Sequence, residues 1–196
     1  MPEREIILVT GGAGFIGSHV CDALLFAGHA VRCFDNLATG SLRNIDQLSG
    51  VDGFAFIQGD IRSTAEVAAA LKGISAVVHL AALGSVPRSI AMPLDTEASN
   101  LGGFLNVLEA MREAGLKRIV YASSSSVYGD SPELPKREGR EGEALSPYAV
   151  TKQMDELYAG LYYRLFGIEA IGLRFFNIFG ERQDPKGAYA AAKIGR

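Results

Sequence analysis

Hydrophobic positions follow two different periods along the chain, and the order of these periods predicts the fold. Short, nearly continuous apolar runs are typical of buried strands, and they lie at 6–9, 30–34, 54–58, 76–80, 118–122 and 169–175. Between the runs, apolar residues recur three and four positions apart, as in helices that bury one face; these segments are 16–27, 64–71, 97–114 and 147–166. Because parallel strands need crossover helices, the alternation predicts an α/β fold with a doubly wound parallel sheet, Rossmann-like in architecture.

The connections that follow the strands carry small and polar residues. Two long connections, 36–53 and 130–146, are polar or charged and rich in turn-forming residues, so they are predicted to be surface loops. Ligands of doubly wound sheets bind beyond the carboxyl ends of the strands. Six candidate residues follow the six predicted strands, namely Gly11, Asp35, Asp60, Ala81, Ser124 and Asn177. The sequence therefore predicts one ligand site along this edge of the sheet.

The first of these connections is a glycine-rich turn, Thr-Gly-Gly-Ala-Gly-Phe-Ile-Gly at 10–17. Gly11 permits the tight turn, Gly14 lets a pyrophosphate approach the backbone, and Gly17 lets the helix lie close to the sheet. The free N–H groups at the helix start, together with the helix dipole, favour a bound phosphate. The first glycine spacing is wider than in the common dinucleotide fingerprint, so a glycine-rich turn without a ligand is the alternative.

Acidic and small residues follow the second, third and fourth strands, as expected at a dinucleotide-binding site. Asp35 can accept hydrogen bonds from the adenosine ribose hydroxyls, and its charge would repel a 2′-phosphate, so NAD is favoured over NADP. Asp60 and Ile61 could flank the adenine, and the small residues at 81–82 leave room for a flat ligand. The alternatives are that Asp35 and Asn36 only start a turn, and that the other residues serve ordinary loop and packing roles.

A tyrosine and a lysine four residues apart are the candidate chemical centre. Tyr148 and Lys152 lie on the last predicted helix, which begins at Pro147, and this spacing puts them on one helix face. A free tyrosine has a pKa of about 10, and a nearby ammonium would lower it. The lysine could also hydrogen-bond a nicotinamide ribose, and a serine from the run 123–126 could orient a substrate hydroxyl. The alternative is a surface Tyr–Lys pair on an amphipathic helix.

Composition narrows the class of protein. A chain of 196 residues with 48% apolar and 21% charged residues suits a folded globular domain. The net charge of −3, without a basic stripe or a long apolar run, argues against nucleic acid and membrane as partners. The chain runs directly into a strand, so no signal peptide is expected. Cys21 and Cys33 fall in a helix and a strand, which favours buried thiols in a reducing cytoplasm, and the scattered histidines predict no metal site.

Four motifs in this order resemble a known family. They are the glycine turn at 10–17, the serine run before Val-Tyr-Gly, Ser-Pro-Tyr-Ala-Val-Thr-Lys at 146–152 and Leu-Arg-Phe-Phe-Asn at 173–177. The chain resembles an extended short-chain dehydrogenase/reductase of the NAD-dependent sugar epimerase/dehydratase type. Within that family, the stretches 81–89 and 182–185 are similar to bacterial UDP-N-acetylglucosamine 4-epimerases.

The resemblance implies a reaction cycle on a UDP-sugar. Tyr148 would remove the proton of the sugar 4-hydroxyl while a hydride passes from C4 to NAD, with Ser124 assisting and Ser125 close by. The 4-keto sugar would turn over in the site and take the hydride back on its other face. Further contacts to the UDP-sugar would come from Ser85, Arg88 and Asn177, although Arg88 also fits the role of an ordinary surface arginine.

The predicted cofactor-binding residues combine the glycine turn, the strand ends and the catalytic helix. The resemblance implies NAD as the cofactor and no metal. The cofactor-binding residues are Gly11, Gly14, Phe15, Ile16, Gly17, Asp35, Asn36, Asp60, Ile61, Leu80, Ala81, Ala82, Asn100, Tyr148, Lys152 and Phe176.

Departures from the family pattern keep other functions open. Family members of this type usually read Arg-Tyr-Phe-Asn where this chain has Phe175. A 4,6-dehydratase usually carries Asp-Glu after the serine or threonine, where Ser125 and Ser126 stand, so this function ranks below a 4-epimerase.

The length of the chain gives a further expectation about domains. Residues 1–177 are expected to form the NAD-binding domain with the catalytic helix, and 178–196 to be the start of a substrate domain that is largely missing. A non-catalytic NAD-binding module is therefore a third hypothesis.

Two helices predict an oligomer. The helices at 97–114 and 147–166 carry apolar residues on more than one face, and in the second these include Leu157, Leu161, Tyr162 and Leu165. One face can cover the sheet and the other can meet a partner, and the resembling family commonly dimerises through such helices. We expect a homodimer.

Overall fold

Six parallel strands form one sheet in the computed structural model, which describes residues 4–185. The strands are β1 (Ile6–Thr10), β2 (Ala30–Asp35), β3 (Phe54–Gln58), β4 (Ala76–His79), β5 (Arg118–Ser124) and β6 (Glu169–Phe175). They lie in the order β3-β2-β1-β4-β5-β6, and every neighbouring pair is parallel. The order reverses between β1 and β4, which is the point where such sheets bind ligands. The predicted doubly wound parallel sheet is confirmed.

Helices connect the strands and cover both faces of the sheet. The helices are α1 (Phe15–Phe26), α2 (Thr64–Ala70), α3 (Val86–Ala91), α4 (Pro93–Glu97), α5 (Gly103–Glu113) and α6 (Pro147–Phe166). The long helix α6 has clear end signals: the Ser146 hydroxyl accepts a hydrogen bond from the N–H of Ala149, and Gly167 ends the helix with a φ of +66°. No helix within residues 4–185 is both long and apolar enough to span a membrane.

The helix predicted at 97–114 is wrong at its amino end. Helical structure already begins at Pro93, passes through a π-helical turn at Ala98–Gly102 and continues as α5. A proline disrupts a helix interior but suits the first turn, where its missing N–H leaves no bond unmade. The π turn contains Asn100, whose side chain is fully buried.

The short helix α3 is absent from the sequence-based prediction. Its first turn is stabilised by Ser85, whose hydroxyl accepts a hydrogen bond from the N–H of Arg88. It ends at Met92, which leaves the helical region (φ −136°, ψ 65°) because the residue before a proline avoids that region. With only six residues, α3 is too short to show a convincing helical period.

Alternate residues of the central strands supply two hydrophobic clusters, one on each face of the sheet. Leu8 packs with the side chains of α2, α5 and α6, including Phe104 and Leu108. Val9 packs on the opposite face with the buried Cys21 of α1 and Cys33 of β2. Both cysteines are free, as predicted. Burial on both faces explains why these strands read as continuous apolar runs.

Candidate active site

Backbone contacts bring the glycine turn to the centre of the sheet edge. Gly11 has a φ of +70°, and a Cβ atom there would lie 2.6 Å from the backbone nitrogen of Ala81 at the end of β4. A Cβ atom on Gly17 would overlap the carbonyl oxygen of Gly11. The N–H of Gly11 donates to the carbonyl of Phe34 (2.8 Å), which ties the turn to β2. Two of the three predicted glycines are therefore required by close contacts within the protein.

The start of α1 suits an anionic ligand. Gly14 is the N-cap residue, so no side chain caps this helix, and its first turn contains no acidic residue. Gly14 lines a pocket at the carboxyl ends of β1, β2 and β4, where its lack of a side chain keeps the helix start open. Uncapped N–H groups and the positive end of the helix dipole together favour a phosphate.

Asp35 lines the same pocket and is nearly buried. Its two carboxylate oxygens accept hydrogen bonds from the N–H groups of Ala13 (3.0 Å) and Leu37 (2.8 Å). Burial raises the pKa of Asp35, and these two bonds act in the opposite direction. Asp35 therefore does start a turn, as in the alternative interpretation, but a carboxylate oxygen can accept more than one hydrogen bond. The predicted contact with a ribose remains compatible with this geometry.

Asp60 has partners that were not predicted from the sequence. Its carboxylate lies 2.6 Å from the guanidinium of Arg62 and accepts a hydrogen bond from the Asn36 side chain (3.0 Å). These contacts, Arg62 first, hold the pKa of Asp60 well below its usual range. The neighbouring Ile61 has a buried side chain and lines the pocket together with Leu80, Ala81 and Ala82. The spacing Asp-x-Arg was the available signal for the ion pair.

A second, larger cleft gathers the predicted catalytic residues. Ser124, Tyr148 and Lys152 all line it, at the carboxyl ends of β4, β5 and β6. Leu80 and Ala82 line both this cleft and the pocket beside Asp35, so the two sites adjoin. The cleft is also lined by the predicted residues Phe15, Ile16, Ser125, Phe176 and Asn177.

The Lys152 side chain is buried and hydrogen-bonded within the protein. Its ammonium donates to the carbonyl of Ala122 (3.0 Å) and to the carboxylate of Asp155 (3.0 Å). An ammonium has three donors, so one is left by the contacts with the described residues and can serve a ligand in the cleft. Asp155 was not predicted, although its position three residues after Lys152 on one helix was a usable signal.

The hydroxyl groups of the serine run 123–126 differ in their hydrogen bonds. Ser124 accepts a hydrogen bond from the N–H of Ser126 (3.1 Å), and within residues 4–185 its own O–H donates to no other group. Ser123 donates to the carboxylate of Glu156 (2.5 Å). The Ser126 hydroxyl is buried without a hydrogen-bond partner among the described residues. The geometry therefore favours Ser124 as the serine that can donate to a ligand, and its predicted catalytic role stays a prediction.

Three residues that were predicted to contact a ligand make contacts within the protein. Asn100 accepts from the N–H of Leu83 (2.7 Å) and donates to Thr151 (3.4 Å), so it supports the segment after β4. Ser85 caps α3, and Arg88 follows it on the same short helix. Direct ligand contacts by Asn100, Ser85 and Arg88 stay predictions. Within residues 4–185, no group of three or more His, Cys, Asp or Glu side chains is placed to hold a metal.

Sequence comparison identifies a family match across nearly the whole chain. The model of the NAD dependent epimerase/dehydratase family matches residues 7–195. The chain is 42% identical over 191 residues to a putative UDP-glucose 4-epimerase of Methanocaldococcus jannaschii, covering 96% of this chain and 61% of that protein. It is 38% identical over 194 residues to the UDP-glucose 4-epimerase of Mycolicibacterium smegmatis, covering 95% of this chain and 60% of that protein. The chain thus spans about 60% of the length of these relatives.

Solved structures show the same fold. A UDP-N-acetylglucosamine 4-epimerase from Methanobrevibacter ruminantium, in complex with UDP-N-acetylmuramic acid, has a TM-score of 0.90 at 38% identity, with 96% of this chain and 60% of that chain covered. The UDP-glucose 4-epimerase of Thermus thermophilus in complex with NAD has a TM-score of 0.86 at 39% identity, with 94% and 59% covered. A dTDP-glucose 4,6-dehydratase of Streptomyces venezuelae has a TM-score of 0.88 at 34% identity, with 93% and 59% covered.

Proposed function

The chain belongs to the NAD dependent epimerase/dehydratase family, and on this premise we propose that it provides the cofactor-binding and catalytic part of a UDP-sugar 4-epimerase. The predicted cofactor, NAD, is the one in the family's description. The observation that carries the proposal is the single cleft lined by Ser124, Tyr148 and Lys152, which adjoins the pocket at the glycine turn. Several relatives and structural neighbours bear the name UDP-sugar 4-epimerase, which supports this reaction over others.

The two adjoining sites fit a dinucleotide. The pocket beside Asp35 and Ile61 would hold the adenosine half, and the uncapped start of α1 at Gly14 would hold the pyrophosphate. The cleft beside Tyr148 and Lys152 would hold the nicotinamide half. When bound there, NAD would accept a hydride from the sugar and later return it.

The residues of the cleft would transfer the proton and position the sugar. Tyr148, as a phenolate, would accept the proton of the 4-hydroxyl and return it after the 4-keto sugar has turned over. Lys152 would favour the phenolate through its charge and would give its remaining donor to a ribose hydroxyl. Ser124 would hydrogen-bond the reacting oxygen, with Ser125 and Asn177 at the substrate side of the cleft.

A UDP-hexose or a UDP-N-acetylhexosamine is the proposed substrate class. UDP-N-acetylglucosamine is our first choice within it, because the stretches 81–89 and 182–185 resemble epimerases of that sugar and one structural neighbour carries that name. The test is to incubate the chain with NAD and, separately, UDP-N-acetylglucosamine and UDP-glucose, and to resolve the 4-epimers by proton NMR. Tyr148→Phe serves as the inactive control.

A 4,6-dehydratase is a second candidate because one structural neighbour is a dTDP-glucose 4,6-dehydratase. Ser125 and Ser126 occupy the positions where the resembling dehydratases usually carry Asp-Glu, which lowers this candidate. The same NMR experiment separates the two reactions, since a dehydratase releases a 4-keto-6-deoxy sugar. NAD binding with neither product would favour the third hypothesis, a non-catalytic NAD-binding module.

We further propose a homodimer in the cytoplasm. On α6, Tyr162 packs into the core while Leu157 is 67% exposed, so the helix has one apolar face inward and one outward, and Leu94 of α4 is 80% exposed. Two buried free thiols suit a reducing compartment. Sedimentation of the wild type and of Leu157→Glu tests the dimer, and a monomeric wild type at high concentration would contradict it.

A further inference from the structure

The Lys152–Asp155 ion pair is a buried feature that the proposed mechanism does not use. The side chains of Lys152 and Asp155 are 2% and 1% exposed, and Nζ lies 3.0 Å from Oδ2. The second carboxylate oxygen, Oδ1, has no hydrogen-bond partner among the described residues. The Lys152 ammonium has a second partner in the carbonyl of Ala122, whereas within the described part of the chain Lys152 is the charged partner of the buried Asp155 carboxylate.

The position of the pair links it to the tyrosine. Tyr148, Lys152 and Asp155 are spaced four and three residues apart on α6, so they form one stripe along the helix. Ala122, whose carbonyl takes the other Lys152 hydrogen bond, lies two residues before Ser124 on β5. Asp155 and Ala122 together therefore fix the ammonium between the helix and the strand that carry the reacting groups.

Asp155 is the carboxylate that faces Lys152, because the other titratable groups nearby are either paired with another residue or neutral. Glu156, next on α6, is paired with Arg174 of β6 at 2.7 Å. His79 of β4 is fully buried, and burial, with a smaller contribution from Lys152, lowers its pKa to about 3, so it is neutral. Tyr121 of β5 has its pKa raised, chiefly by burial and then by Glu156 and Asp155, so it is neutral too.

We propose that Asp155 is a positioning residue for the Tyr148–Lys152 pair, which holds the ammonium in place and offsets part of its charge. The inference rests on the proposed function, in which Tyr148 is the base. Removal of the Asp155 charge leaves more net positive charge near the phenol, which favours phenolate. Burial raises the pKa of Asp155 to about 6, so the offset is present at neutral pH and above.

The test is an ultraviolet difference titration of tyrosinate in the whole chain without substrate, comparing the wild type with Asp155→Asn. Asparagine retains the size and an acceptor for Nζ but removes the charge. Subtraction of the same titration in a Tyr148→Phe background isolates residue 148. Seven residues of helix place the two side chains ~10 Å apart, so we expect the Tyr148 midpoint to fall by about one pH unit. An unchanged or raised midpoint would overturn the proposal.

Glu156→Gln is the matched control, because it removes one carboxylate from the next position of the same helix. That carboxylate is paired with Arg174, so we expect a clearly smaller fall in the Tyr148 midpoint. An equal or larger fall in Glu156→Gln contradicts a specific role of Asp155.

A second pair of variants covers the case in which Asp155→Asn does not fold. Lys152→Gln is compared with Lys152→Gln/Asp155→Asn, in which both buried charges are replaced together. The double variant should ionise Tyr148 at the lower pH, and equal midpoints would count against the offset. Neither titration needs NAD or turnover. An absence of epimerisation therefore refutes only the proposed function. An unchanged Tyr148 midpoint in an active enzyme refutes only the role proposed for Asp155.

Discussion

The pocket beside Asp35 and the cleft beside Lys152 lie along one sheet edge but are built by different forces. The pocket depends on backbone geometry, since Gly11 and Gly17 have no room for a side chain and α1 starts without a side-chain cap. The cleft depends on buried charge, since Lys152 and Asp155 are held in a nearly water-free environment. We therefore expect a steric change to damage the first site by destabilising the fold, and an isosteric change to damage the second site by altering its chemistry.

The largest expected effect lies in the cleft, where chemistry should be lost without loss of the fold. Tyr148→Phe should lower the proposed epimerase rate by about 10²–10⁴-fold, the usual contribution of a positioned acid–base group. The free energy of unfolding should change little, because only a hydroxyl is removed. Steady-state kinetics and urea denaturation measure the two quantities. A variant with near wild-type turnover would show that Tyr148 is not the base.

The next effect sharpens the contrast in the pocket, where sterics should dominate. Gly11→Ala places a Cβ atom 2.6 Å from the backbone of Ala81 in addition to a positive φ, and should lower the free energy of unfolding by about 2–4 kcal/mol. Gly73 has a similar φ of +74° and open space around it. Gly73→Ala should therefore cost only about 1 kcal/mol. Urea denaturation checks both variants, and equal losses would mean that the close contact with Ala81 contributes nothing.

The pH dependence of stability tests whether the cleft is governed by buried charge. The pKa of Asp155 is raised from 3.8 to about 6, chiefly by burial and against the effect of Lys152. A carboxyl with a raised folded-state pKa contributes stability below its unfolded pKa and loses it as pH rises through the folded value. Relative to Asp155→Asn, the wild type should lose on the order of 1–3 kcal/mol between pH 4 and pH 6. Parallel pH curves for the two proteins would show that Asp155 does not titrate in this range.

The smallest effect concerns a solvent-exposed ion pair that flanks Ile61 of the pocket. Arg62 pairs with Asp60, but the guanidinium side chain is 52% exposed, so Arg62→Gln should cost under about 1 kcal/mol at neutral pH and less at high salt. The depressed pKa of Asp60 means that this contribution is lost as pH falls below the usual range of a carboxyl group. Urea denaturation at two salt concentrations measures it. A loss as large as that of Gly11→Ala would contradict the small contribution expected of an exposed ion pair.

Local signals in the sequence predicted backbone conformation, whereas the roles of the site residues stay predictions. The spacing of the glycines requires a turn of one conformation, and Tyr148 and Lys152 share a helix face whatever the rest of the fold does. The start of α4 at Pro93 and the π turn around Asn100 were not predicted. Asn100 bonds with Leu83 and Thr151, which are distant in sequence, and such contacts leave no period in the chain. The division 1–177 and 178–196 stays a prediction, since the second segment lies partly outside residues 4–185.

Periodicity and backbone conformation are local properties, so the amino-acid sequence alone was enough to predict the order of the strands and main helices, the glycine turn and the spacing of the tyrosine and lysine. Which charges are buried, and which groups they face, depends on the folded arrangement of distant segments. Lys152 meets the carbonyl of Ala122 from 30 positions away, and Thr10 meets His79 across 69 positions. The exclusion of water by packed elements determines the strength of such contacts, and that exclusion exists only once the chain has folded.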